Sequence, residues 1–148
     1  MKIIEDIKKD ALLLLEAGFI ALNHAEYKAA EGLFDAAEAL DANRDLCEIG
    51  RGYLALHKMQ IPKAREWFEK VHKRSPDNQM AATFLAWANI MDEKYHSEGE
   101  AACEKILKEA KEPDIKQFAN SALEFASNYS GPSSSPLNLH KKTQRKRH

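Results

Sequence analysis

The chain has 148 residues, 44% of them hydrophobic and 30% charged, with a formal net charge of −1. That length suits one domain with a buried core, and that hydrophobic share excludes a chain disordered throughout. No apolar run reaches the length of a membrane span, and the start MKIIEDIKKDALLLLEAG is too interrupted by acids and bases for a secretory leader, so a cytoplasmic protein is expected.

Almost every segment up to residue 129 is rich in Ala, Leu, Glu and Lys, with apolar residues three and four apart, which predicts an all-α fold. Residues 1–10 extend the first helix toward the N-terminus. Their stripe of Ile3, Ile4 and Ile7 is expected to pack on the first repeat or, alternatively, to dock a second chain. Helical segments then continue, broken at Ala42-Asn43, at Ser75-Pro76-Asp77-Asn78 and at Glu112-Pro113-Asp114.

The stretch QMAATFLAWANIMDEK (79–94) is apolar on two sides. Met80, Phe84, Trp87 and Met91 make one, and the smaller Ala82, Leu85, Ala86 and Asn89 make the other. A surface helix needs only one such stripe, so this helix is expected to be covered on one side and to bind on the other. Residues 114–129 predict a further amphipathic helix, whose Ile115, Phe118, Ala122 and Leu123 would cap the core. SGPSSSP (130–136) reads as a linker, and LNLHKKTQRKRH as a disordered basic tail. Five of the 22 Lys and Arg lie in 130–148, which has no acid; the other 17 share residues 1–129 with all 23 Asp and Glu. The tail is expected to solubilise rather than to bind nucleic acid or acidic lipid.

Catalytic patterns are missing. None of the six histidines has a second His or a Cys three or four residues on to make a ligand pair, and there is no glycine-rich phosphate loop or Gly-x-Ser-x-Gly elbow. Cys47 and Cys103 sit in helical patterns with no Cys-x-x-Cys pairing and are expected to be reduced, packed thiols. The expectation is no enzyme, no metal and no cofactor.

The chain repeats itself. Residues 11–44 laid over 45–78 bring Gly18 onto Gly52, Ala30 onto Ala64, Phe34 onto Phe68 and Ala42 onto Pro76, each at an offset of 34. A third unit, 79–112, is degenerate: Ala86 takes the glycine place, and the register then slips by about one residue so that Gly99, Cys103 and Ile106 continue the buried face. This pattern resembles the tetratricopeptide repeat (TPR), with its Gly…Ala-x3-Phe…Pro on a 34-residue period. Tyr27 and Ala37 also match that family. The resemblance implies a superhelix of about three helix-turn-helix units with the 114–129 helix as a cap.

It also implies that the first helix of each unit lines a concave groove. The partner-binding residues expected there are Leu12, Leu15, Phe19 and Leu22 from the first unit, Ile49, Tyr53 and Leu56 from the second, and Met80, Phe84, Trp87, Ile90 and Met91 from the third. TPR proteins that grip acidic C-terminal tails use a Lys, Asn and Arg clamp. Here those places hold Leu15, Phe19, Gly50, Met80 and Phe84, which cannot pair with a carboxylate.

An apolar groove in a small three-unit chain, with the run EAGFIALNHAEYKAAEGLFDAAEALDANRDLCEIGRGYLALHKMQIPKAREWF, is similar in style to the chaperones of bacterial type III secretion, most of all those of the needle subunit. That resemblance implies a client helix held in the groove to block premature polymerisation and a small helical co-chaperone docked near the N-terminus. An uncovered apolar patch of this size itself predicts a resident partner or self-association, the alternative being a groove filled by the 114–129 helix, the N-terminal extension or a second copy. The alternatives are a translocator chaperone of the same systems and a general TPR scaffold.

Overall fold

A computed structural model describes residues 2–128, and the expected tail lies outside them. Among the described residues there are seven α-helices and no strand: α1 (Lys2–Asn23), α2 (Tyr27–Ala39), α3 (Arg44–His57), α4 (Ile61–Arg74), α5 (Gln79–Ile90), α6 (His96–Glu109) and α7 (Pro113–Asn128). The protein is all-α. Each expected break falls at a helix start. The Asn43 side chain caps α3 by accepting from the Leu46 N–H at 3.1 Å, Asn78 caps α5 by accepting from the Ala81 N–H at 3.0 Å, and Pro113 opens α7.

Consecutive helices pack as hairpins, α1 on α2, α3 on α4 and α5 on α6, and each hairpin packs on the next. The odd-numbered helices also touch in series from α1 to α7, which makes them one layer, and α2, α4 and α6 each pack on the odd helices before and after them. The first two hairpin turns are the same turn, 34 residues apart. Ala25 and Met59 both sit in the left-handed region, at φ 59° and 58°. The Glu26 N–H reaches the Ala21 carbonyl and the Gln60 N–H the Ala55 carbonyl, both at 2.9 Å. A non-glycine residue in that region costs about 1–2 kcal/mol, so the turn geometry is held by the packing on either side of it.

Three buried clusters match the three hairpins. One joins α1, α2 and α3 around Phe34, the next joins α3, α4 and α5 around Phe68, and the last joins α5, α6 and α7 around Cys103. The glycines explain the close approach of paired helices. A Cβ on Gly18 would stand 2.6 Å from the Phe34 ring, and one on Gly52 would come under 3.0 Å from the Phe68 ring. Phe34 also covers Gly50 of the following helix, whereas Phe68 stacks on Phe84 with centroids 5.2 Å apart. In the third hairpin the roles exchange: Gly99 on α6 lies against the backbone of Ala86 and Ile90, and Cys103 stands where the phenylalanines stood.

One expectation is corrected. The stripe of Ile3, Ile4 and Ile7 does not pack on the first hairpin: these residues are 75%, 52% and 43% exposed. The reason is length. Helix α1 has 22 residues and α2 only 13, and along α1 the first buried residue is Ala11.

Candidate functional site

The odd-helix layer carries a ladder of aromatic rings. Phe19 on α1 lies 6.4 Å from Tyr53 on α3, Tyr53 lies 5.2 Å from Phe84 on α5, and Phe84 lies 4.9 Å from Phe118 on α7. The outer steps follow the repeat, since Tyr53 is 34 residues beyond Phe19 and Phe118 is 34 beyond Phe84, whereas Tyr53 to Phe84 is 31. Rings at these separations favour tilted and edge-to-face contacts. Tyr53 and Phe118 meet Phe84 in this way at 50° and 66°. The rings stiffen a wall that smaller side chains would leave soft.

Between the rings lies an open cleft of ≈ 410 Å³, walled by Phe19, Leu46, Tyr53, Met80, Phe84, Ile115 and Phe118. Its polar groups are few: Asn23 at the end of α1, Asp114 in the first turn of α7, and the Tyr53 hydroxyl. Burial pushes the Tyr53 phenol above its usual value, so it stays neutral at physiological pH. His57 closes one side of the ladder, its ring 4.5 Å from Tyr53 and 6.0 Å from Tyr27. A cleft of this size, apolar with a few polar atoms, can take large apolar side chains from another polypeptide.

Eleven of the twelve residues expected to share one wall divide into three groups, and Trp87 stands apart. Phe19, Tyr53, Met80 and Phe84 line the cleft, and Leu12, 50% exposed, stands on the same helix as Phe19. Leu15, Leu22, Ile49 and Ile90 are buried in the clusters between the layers and present no surface to a partner. Leu56 packs half-buried against the second cluster, and Met91 is half-buried at the end of α5.

Trp87 is covered by the chain itself. Its ring stacks 5.7 Å from Phe118 and lies 5.3 Å from Phe125, and its indole N–H donates to the Phe118 carbonyl at 3.3 Å. Helix α7 therefore occupies the third-hairpin end of the wall and itself adds Asp114, Ile115 and Phe118 to the cleft. From the sequence Phe118 is expected only as a capping residue; carrying the 34-residue offset from Phe84 one unit further would have placed it on the wall.

Among the described residues, no three His, Cys, Asp or Glu side chains gather in a way that could hold a metal ion, and no helix is long and apolar enough to cross a membrane. Neither a family model, nor a curated protein, nor a solved structure matches this chain.

Proposed function

We propose that the protein is a TPR superhelix that holds the apolar face of an amphipathic helix from a client protein in the cleft of its odd-helix layer. The observation that carries this reading is the apolar cleft together with exposed Met80 in its wall, at 40%, and Leu12, 50% exposed and two turns before Phe19 on α1. The repeated turns at Ala25 and Met59 and the glycine–phenylalanine contacts support the TPR assignment. Each large apolar side chain a client buries there contributes roughly 1.5–3 kcal/mol before ordering costs are met.

Within that reading, the resemblance to type III secretion chaperones makes the client the C-terminal helix of a needle subunit, held in the cytoplasm as a monomer. The role is binding, with no cofactor and no catalysis. Because α7 covers Trp87, the client-contacting part of the wall is the portion around Phe19, Tyr53, Met80 and Phe84.

The test is co-expression with short secreted subunits encoded beside this chain, then calorimetric titration of their C-terminal peptides. Met80→Glu and Leu12→Glu place a charge on exposed positions and leave the core intact, so the variants should keep the wild-type helical circular dichroism. Loss of at least about tenfold in affinity is expected, since about 1.4 kcal/mol is less than one buried apolar side chain. Unchanged affinity in both variants would sink the cleft as the site.

A further inference from the structure

The even-helix face carries two clefts of very different size. The one beside α2, α3 and α4, next to Trp67, is ≈ 90 Å³, and the one among α4, α5 and α6 is ≈ 500 Å³. The two overlap only in part under the repeat: Arg51, Ala55 and Trp67 of the smaller cleft correspond to Leu85, Asn89 and Ala102 of the larger. An offset of 34 carries α3 onto α5, and an offset of 35 carries α4 onto α6, where buried Ala64, Phe68 and Val71 fall on buried Gly99, Cys103 and Ile106. Arg51 then corresponds to Leu85, Glu48 to Ala82 and Trp67 to Ala102.

In the second hairpin the chain covers the Trp67 ring with its own side chains. Lys70 Nζ lies 4.7 Å from the centre of the Trp67 ring, and the Arg51 guanidinium lies 5.9 Å from it while bonded to Asp35 and Glu38. In the larger cleft Arg51, Glu48 and Trp67 are each replaced by a shorter side chain. What remains is a floor of Ala82, Leu85, Ala102 and Ile106. Lys105 lines it at the place where Lys70 meets Trp67. His72 lines it too, with its Nδ1 buried and without a hydrogen-bond partner. Asp77 and Glu109, also in the lining, enter no ion pair among the described residues.

We propose that this cleft is a second binding site, which takes a tryptophan-sized aromatic side chain of a partner polypeptide with a basic residue beside it. The incoming ring takes the place that Trp67 holds one hairpin earlier, and Lys105 lies against its face as Lys70 does against Trp67. The neighbouring base answers the two carboxylates, which outnumber the one lysine. The site lies on the other side of α5 from Met80 and Phe84 and does not depend on the client reading.

The probe is the pair tryptamine and indole-3-acetate, which share an indole and differ in the sign of their charge. Each is titrated into the full chain and monitored by amide chemical shifts. Ligands this small bind at about millimolar levels at best. Saturable shifts are expected at Ala82, Leu85, Ala102 and Ile106, with tryptamine about threefold tighter or better, as one favourable exposed charge contact gives. Ala102→Trp should fill the cleft and abolish them. Leu85→Arg, which restores the Arg51 counterpart from another helix, should do the same if the first variant does not fold. Absence of shifts, shifts centred on Phe19 and Tyr53, a preference for indole-3-acetate, or binding that survives in a folded filling variant would overturn the proposal.

Discussion

Replacing Gly52 with alanine and Gly32 with alanine is one chemical change with two opposite expected results. Both glycines lie inside helices, where alanine is favoured over glycine by about 1 kcal/mol. A Cβ on Gly32 meets nothing within 4 Å, so Gly32→Ala should realise that gain. A Cβ on Gly52 would lie under 3.0 Å from three atoms of the Phe68 ring. Phe68 has no free side to move toward, because it is fully buried and stacked on Phe84. Forcing an extra methyl into such a contact costs about 1–3 kcal/mol, occasionally more, which offsets or exceeds the propensity gain. The two variants should differ by about 1–3 kcal/mol, with Gly32→Ala above the wild type and Gly52→Ala level with it or below. For a chain of this size the gap is several degrees in Tm. Thermal and urea unfolding monitored by circular dichroism would measure it. A Gly52→Ala variant as stable as Gly32→Ala would refute the reasoning, because the close approach of α3 and α4 would then not depend on the missing methyl.

Burial, with Glu100 and Glu104 nearby, pushes the Cys103 thiol up to about 11, and burial likewise raises Cys47, so neither should react with a thiol reagent at about pH 8 faster than the protein opens; rapid labelling of the native chain would contradict their placement. The Ser75 hydroxyl donates to Asp45 at 2.6 Å and Arg74 pairs with it, which holds that carboxyl below its ordinary 3.8. Its folded value is the lower one, so its contribution is complete above the unfolded value and fades as pH falls below 3.8 toward the folded value. Asp45→Asn should therefore cost about 1 kcal/mol at about pH 7 and much less at about pH 3; an equal loss at both pH values would remove the ionised carboxylate from the explanation. Trp87→Ala strips the contacts to Phe118 and Phe125 and should cost about 2–4 kcal/mol. Hydrogen exchange should speed up in 114–128 more than in α2, and unchanged protection there would show that Trp87 does not anchor α7.

The sequence by itself determined the helical class and three of the six breaks between helices, those before α3, α5 and α7. Three- and four-residue apolar spacing, Asn43 and Asn78 at caps and Pro113 at a start are local signals, and local hydrogen bonding answers them directly. It also announced the close helix contacts, because Gly18 and Phe34 recur at Gly52 and Phe68, and a glycine facing a phenylalanine at a fixed offset has a packing reason. Which apolar residues face a partner was decided by the tertiary structure. Phe19 and Leu22 lie on one helix, yet one lines the cleft and the other is buried, since in a two-layer stack the first helix of each hairpin is apolar toward both its neighbours and the groove. Periodicity records that a side chain is apolar and cannot tell which of two apolar neighbourhoods it enters. The end of the stack is likewise tertiary: α7 continues the odd-helix layer, lays Phe118 and Phe125 on Trp87, and so places the open part of the wall between α1 and the start of α7, while the small Ala82 and Ala102 line a cleft on the other side of α5.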